Sequence, residues 1–287
     1  MQKIILPAFA ILFFSPLTQF AQTGLQTATQ AKGSLVGSGQ KFIVETTLKT
    51  NTAAEVMGQT METNIDVKTS TNYDVKNAGS ESADLQKTVS KLVVSASMMG
   101  QELQYDSDKQ DNPAQMEEIF SGMVNKPLNL SIDGKGNITK QEEMLQTTNP
   151  LMMAAGAGAA TTTELFVPDL TGKEFVAGDS IKSFLVTTGE KNSSKDSGTY
   201  KITIVENGVA SISYSGIQQT TGVIEQMGME MNTTGNNIVK SELQVDIKTG
   251  LVLAKATVTE MNTIVEVMGM EIPTTGRSFS TTTVKAL

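Results

Sequence analysis

Methionine beside glycine is the chemically distinctive feature of this chain. A Met-Gly pair occurs four times; Gln or Met follows each glycine, Thr or Glu comes next, and Met, Leu or Ile closes each copy. The copies begin at Met57, Met99, Met227 and Met268. Methionine carries a flexible, polarizable thioether, which fills irregular apolar gaps, forms adaptable apolar surfaces and binds soft metal ions.

Three interpretations of these motifs stand side by side. The methionines can fill gaps beneath hairpin tips while glycine makes the turn. They can form a soft apolar rim that meets a lipid, an apolar ligand or another envelope protein. They can also bind Cu(I), although the chain offers no His or Cys as a co-ligand, and we predict no metal and no cofactor. The second interpretation names nine candidate ligand-binding residues: Met57, Met61, Met99, Leu103, Met227, Met229, Met231, Met268 and Met270.

The absence of histidine and cysteine limits the possible catalysis. Ser-His-Asp and Cys-His nucleophiles cannot be assembled, and zinc hydrolase sites lose their usual ligands. Paired carboxylates for glycoside hydrolysis remain, with Glu230 and Glu271 as candidates beside two of the Met-Gly pairs. Both are expected on a solvated face, because charged residues are seldom buried without a partner. We therefore predict a protein that is not an enzyme.

Two short motifs look like known sites but are expected to be turns. Residues 131–142 partly fit a calcium-binding loop, yet Lys135 stands where an oxygen ligand is needed. The stretch Gly178-Asp179-Ser180-Ile181 is similar to the opening block of a serine esterase family, whose chemistry needs a histidine. Asp, Ser and Gly favour turns, and this is the predicted role of both stretches.

Alternation with a period of two dominates the chain and predicts long antiparallel strands. From Met61 to Val75 every second residue is apolar, Thr or Tyr, and the residues between them are Glu, Asn, Asp, Lys or Ser. Pairing this strand with the preceding one around Gly58 places Lys49 opposite Asp66, a favourable cross-strand pair. A four-residue loop with Gly58 in the left-handed region avoids strain at Met57.

The predicted fold is mainly β, a long antiparallel meander forming a strongly curved sheet or open half-barrel in two related halves, with one or two helices. Strands of about 12–16 residues favour a coiled sheet over a flat one. Because alternate turns of a meander share an end, the Met-Gly turns are expected along one rim. The predicted segments are 22–160, with a helix at 112–124, and 161–287; a weaker helix is expected over 141–155.

The N-terminus has the pattern of a secretory signal. Lys3 precedes an apolar run from Ile4 to Phe14, and cleavage after Ala21 would remove residues 1–21. Without cysteine there is no lipidated anchor, so we expect a periplasmic or extracellular protein without a transmembrane segment. The net charge of −8 disfavours nucleic acid as a partner.

Five short stretches carry a resemblance that covers nearly the whole mature chain. They are Gly39-Gln40-Lys41-Phe42, Tyr105-Asp106-Ser107, residues 132–136, residues 165–168 leading to Gly178-Asp179-Ser180, and residues 246–250. In these the chain resembles a family of uncharacterised exported β-rich proteins of Bacteroidetes-type bacteria. That family has no established activity, so the resemblance assigns no functional residue.

The functional prediction is an exported binding protein that holds an apolar or amphiphilic ligand in the concave face of its sheet. Two alternatives differ in class. One is an envelope structural or interaction module that docks a protein partner through the Met-Gly hairpin tips, and the other is a carboxylate-based hydrolase.

Overall fold

The fold is known from a computed structural model. It describes residues 35–142 and 151–287, apart from residues 57, 99, 153–154, 156–161, 189–191, 227–228 and 268. The predicted signal segment 1–21 and most of the weaker predicted helix over 141–155 lie outside the described residues. So do the four methionines that open the Met-Gly motifs.

Twelve strands and one short helix make up the described part of the chain. The first half contains β1 (Lys41–Val56), β2 (Gln59–Ala78), β3 (Ser82–Met98), β4 (Gln101–Asp106), α1 (Ala114–Phe120), β5 (Pro127–Asp133) and β6 (Ile138–Gln141). The second half contains β7 (Ser180–Thr188), β8 (Asn192–Glu206), β9 (Val209–Gln226), β10 (Met229–Asp246), β11 (Val252–Val267) and β12 (Met270–Ala286).

All twelve strands belong to one antiparallel sheet, which is curved and unclosed. Its order is β6-β5-β3-β2-β1-β12-β11-β10-β9-β8-β7, and β4 extends the same edge of β3 that β5 occupies further along. The predicted fold class is therefore confirmed. The two halves share one sheet because β1 pairs with β12, with Phe42 opposite Ala286 and Ala54 opposite Thr274.

The predicted register of the first hairpin is confirmed. Val44 pairs with Thr71, and Lys49 lies opposite Asp66 with 3.4 Å between the Lys49 Nζ and an Asp66 carboxylate oxygen. The loop is shorter than predicted, because pairing continues to Val56 and Gln59 and leaves two residues rather than four between them. Gly58 has a φ of +77°, the left-handed conformation that such a tight turn requires.

The two faces of the sheet differ sharply in composition. We call the face that carries Phe42, Val44 and Tyr73 the inner face, and the opposite face the outer face. The buried clusters lie on the inner face. In the second half of the chain they lie away from the Met-Gly turns. The segment 165–175, which links the two halves, covers part of this face: Phe166 belongs to the same cluster as Phe42, and Leu170 to the same cluster as Ile212.

The helix α1 covers the inner face of the first half. Met116 and Phe120 are fully buried against Val94 and Tyr105, and the rings of Tyr105 and Phe120 are 5.0 Å apart. The helix is shorter than the predicted 112–124. Pro113 takes the N-cap position, while the Asn112 side chain bonds to the backbone of Asp106 instead of capping the helix.

One polar network ties Glu164, the residue just before the linking segment, to the sheet. Lys87 Nζ is 2.9 Å from a Glu164 carboxylate oxygen, and the buried Tyr73 hydroxyl donates a hydrogen bond to the other oxygen. Burial alone would raise the pKa of Glu164, but the Lys87 charge and the two hydrogen bonds outweigh it and hold that pKa below its usual value.

We expect Glu164→Gln to lower the free energy of unfolding by about 1 kcal/mol at pH 7. The effect is smaller than the loss of a fully buried ion pair would be, because the Glu164 side chain is 37% exposed and water screens its charge. A carboxyl whose folded pKa is depressed stabilises above its unfolded pKa and loses that contribution as pH falls through the folded pKa. Urea unfolding should therefore show the two proteins converging below about pH 4. Glu174→Gln, at an exposed position of the same segment, is the control, and a constant gap at all pH values would contradict the assignment.

Candidate functional site

The four Met-Gly turns lie side by side along one end of the sheet. They connect β1 to β2, β3 to β4, β9 to β10 and β11 to β12. In the sheet these eight strands are contiguous, and their antiparallel directions bring all four turns to the same end. At about 4.8 Å per strand the row is about 34 Å wide. We call this end of the sheet the Met-Gly rim, and its position confirms the expectation from turn parity.

The motif residues alternate between the two faces in the same way in all four hairpins. The position after the glycine and the closing apolar position lie on the inner face; the Thr or Glu between them lies on the outer face. The inner side of the rim therefore presents apolar residues, which include Val56, Met61, Val265, Val267, Met270 and Ile272. The outer side presents glutamates, which include Glu55, Glu62, Glu102, Glu266 and Glu271.

The predicted site residues are only partly brought together. Met270 is 51% exposed and pairs with Val267 of β11, and the half-buried Met231 lies on the other side of β11. Met61 is also half-buried and lies four residues further from the rim than Met270. Met229 occupies the first position of β10, on the inner face by its register.

Leu103 differs from the other copies of the closing position. It packs against the cluster beneath α1, because Met98 pairs with Thr63 and the β3–β4 hairpin ends about 13 Å short of its neighbour. In this copy the closing residue is therefore part of the packed interior. Met57, Met99, Met227 and Met268 lie outside the described residues, in the turns themselves.

The glutamates of the outer rim include a direct like-charge pair. Glu266 of β11 lies opposite Glu271 of β12, and both are exposed. Three same-face pairs further along the same two strands, Glu260 lies opposite Arg277. Like charges directly opposite each other destabilise a sheet, whereas opposite charges stabilise it. The acidic rim is therefore a feature that the fold keeps at some cost in stability.

We expect Glu266→Gln to raise the free energy of unfolding by roughly 0.2–1 kcal/mol and Glu260→Gln to lower it by a similar amount. The two variants are matched in strand, face and chemistry, and differ in the partner across the strand. Thermal unfolding at low salt measures both, since added salt should shrink both effects. Equal shifts of the same sign would show that the opposing residues do not interact.

The inner face carries few charges. Following the register across the described strands, its ionisable charges are Lys87, Asp196 and Lys255. Lys87 is paired with Glu164, and Asp196 accepts hydrogen bonds from Gln218 and Ser194. Lys255 lies between Thr282 and Leu243, in the middle of the sheet. No ion pair or hydrogen bond joins its Nζ to another described residue, and burial lowers its pKa.

Lys255 was not among the residues predicted from the sequence. The residues at 254 and 256 are alanines, and those at 253 and 257 are Leu and Thr. The residues on both faces of this strand are therefore weakly apolar. The alternation therefore does not show which face the lysine occupies. Its neutral surroundings come from β10 and β12, whose pairing only the three-dimensional structure reveals.

Lys255→Met is expected to be more stable than the wild type at pH 7. Since burial lowers the pKa of Lys255, the unfolded chain binds the proton more tightly and wild-type stability rises with pH up to about 10.4, the ordinary pKa of lysine. The advantage of the variant should therefore shrink between neutral pH and pH 10. Denaturant unfolding measures this, with the outer-face Lys240→Met as control; parallel curves would mean that the Lys255 amine is fully hydrated.

The two motifs that look like a calcium-binding loop and an esterase block are turns, as expected. The Asp133 carboxylate accepts hydrogen bonds from the backbone of Lys135 and from the backbone and side chain of Asn137, at 2.8–2.9 Å. Gly178 has a φ of +97°, and Asp179 closes a turn onto Val176 before β7 begins at Ser180. Among the described residues no three His, Cys, Asp or Glu side chains come together to hold a metal ion.

Glu230 and Glu271 lie exposed on the outer face, on β10 and β12, with β11 between them. The solvated position expected for them is what the structure shows.

A cavity lined by Leu35, Ala83 and Ile132 near the opposite end of the sheet has a volume of about 10 Å³, about the size of one water molecule. It is too small for an organic ligand.

Comparison with known proteins gives a partial family match. Residues 80–171 match a family of unknown function, DUF6263; this stretch runs from the start of β3 through α1 and β6 to the linking segment. The chain therefore contains an uncharacterised domain, as its resemblance implied. No curated protein matches it.

Solved structures show only remote similarity. An outer membrane channel from Pseudomonas putida F1 is 8% identical, covering 93% of this chain and 100% of that chain, with a TM-score of 0.23. Pseudomonas aeruginosa OccK7 is 6% identical, covering 88% and 100%, with a TM-score of 0.20. Salmonella typhi OmpF in complex with daunomycin is 6% identical, covering 84% and 98%, with a TM-score of 0.25. TM-scores this low do not establish a shared fold or function.

None of the described helices is long and apolar enough to cross a membrane.

Proposed function

We propose that this chain is an exported, non-enzymatic protein that binds an apolar or amphiphilic ligand on the inner face of its sheet. The observation that carries the proposal is the alternation at the Met-Gly rim. Four contiguous hairpins place a closing Met, Leu or Ile on the inner side, together with the Gln or Met that follows the glycine, and place Thr or Glu on the outer side. On such a surface an apolar ligand can contact the inner side of the sheet while the outer side stays in contact with water.

Export rests on the secretory signal pattern of residues 1–21, and a periplasmic or extracellular location follows from it. The non-enzymatic character rests on composition. Nucleophile and zinc mechanisms that need His or Cys have no residues here, and the two candidate glutamates stand on the solvated outer face.

The docking of a protein through the hairpin tips is the competing function. A protein partner would also meet an exposed apolar patch outside the Met-Gly tips: Phe184 on β7 is 69% exposed, and Val186, two residues further along the same strand, is 47% exposed. These residues lie on the outer face of the edge strand β7, on the opposite face from the apolar residues of the rim. A docking protein would use that outer patch and tolerate polar residues on the inner side.

Binding of the neutral fluorescent probe N-phenyl-1-naphthylamine tests the proposal on protein purified without detergent. We expect saturable binding that weakens at least about fivefold when Met61, Met231 and Met270 are all replaced by Ser, since each loses apolar contact area. The matched control replaces Glu62, Glu230 and Glu271, the outer-face neighbours in the same strands, by Ser and should bind like the wild type. No saturable binding, or equal loss in both triple variants, would overturn the proposal.

A further inference from the structure

Lys255 lies where two buried clusters of the inner face meet. Its strand neighbour Leu253 packs against the cluster that contains Phe42 and Val284, and its cross-strand partner Leu243 belongs to the cluster that contains Ile212. On the other side, Thr282 separates Lys255 from Thr46. The amine is thus set in the centre of the sheet, on the face that the proposed ligand would occupy.

Lys255 differs from Lys49 and Lys285 of the outer face, because it has no counter-charge among the described residues. Lys49 is 3.4 Å from Asp66 across one strand pair, and Lys285 is 2.9 Å from Glu45 across another. The two other strand charges of the inner face are already engaged: Lys87 with Glu164, and Asp196 with amide and hydroxyl donors. A cation removed from water without a partner costs free energy, and an anion placed beside it would remove that cost.

The surface around Lys255 is neutral and partly apolar. The hydroxyls of Thr46 and Thr282 are 3.3 Å apart, and those of Ser241 and Thr257 are 2.9 Å apart. Since these hydroxyls bond to each other across the strands, their demand for external polar partners is reduced. Along the same strand, Met261 extends over Gly276, where its methyl would stand 3.1 Å from an added Cβ.

We propose that Lys255 binds the anionic head group, a carboxylate or a phosphate, of a single-chain amphiphile whose tail lies along β11 toward Met261. This inference rests on the proposed function and names its ligand class. Lys255 and Met261 are six residues apart, about 20 Å along a strand. An acyl chain spans about half of the ~30 Å hydrocarbon core of a bilayer, so a long chain anchored at Lys255 covers about three quarters of the distance to Met261.

Three probes with the same alkyl chain test the head-group preference: dodecanoate, dodecyl phosphate and dodecan-1-ol, each measured by isothermal titration calorimetry against the mature protein. We expect at least one of the two anions to bind about tenfold or more tightly than the alcohol, because hydrogen bonds to charged groups are stronger than neutral ones. Whichever anion is preferred identifies the head group as a carboxylate or a phosphate.

The variant Lys255→Met keeps an unbranched side chain, shorter by one atom, and removes its charge. We expect it to lose the preference for the anion while its affinity for dodecan-1-ol stays within about twofold of the wild type. Lys240→Met, on the outer face of the neighbouring strand β10, should keep the preference.

The outcomes separate the two proposals. Binding of all three probes without preference, or a preference that survives Lys255→Met, overturns the role of Lys255 and leaves the proposed function standing. Binding of none of the probes by the wild type overturns both. Circular dichroism of each variant confirms that a loss of preference does not come from unfolding.

Discussion

The pairing of β1 with β12 is the constraint on which the rest of the structure depends. It joins the two halves in the middle of one sheet and brings the β1–β2 and β11–β12 hairpins next to each other. Without it the Met-Gly turns would form two separate pairs. With it, four turns form one row, and the inner face becomes continuous from the cluster under α1 to the cluster around Ile212.

The contrast between the two faces follows from this continuity. On the outer face, charges meet across strands, as Lys49 does with Asp66, and the surface is solvated. On the inner face, hydroxyls and apolar groups replace charges, and the linking segment 165–175 covers only part of the sheet. The uncovered part has the character expected of a surface for an amphiphile: apolar groups at the rim and, among the described residues, the unpaired Lys255 in the middle.

Local patterns in the sequence predict the register and the turn positions of strands that follow one another along the chain. The register of β1 with β2 follows from alternation, because a slip of one residue would exchange the two faces. Turn parity likewise places the Met-Gly motifs at one end. The pairing of β1 with β12, the cover over Phe42 and the isolation of Lys255 depend on residues distant in sequence, and alternation carries no information about them. The packing of Leu103 in the cluster beneath α1 likewise depends on a contact between elements that are not paired in the sheet.

The central strand pair also bears on the order of folding. The hydroxyls of Thr46 and Thr282 meet although 236 residues separate them in the chain. A contact of such long range forms only after both ends of the chain are available, and it carries a large loop-closure entropy. The middle of the sheet should therefore assemble last, after the hairpins on either side. In the export proposed above, this closure would come only once both ends of the chain are on the same side of the membrane.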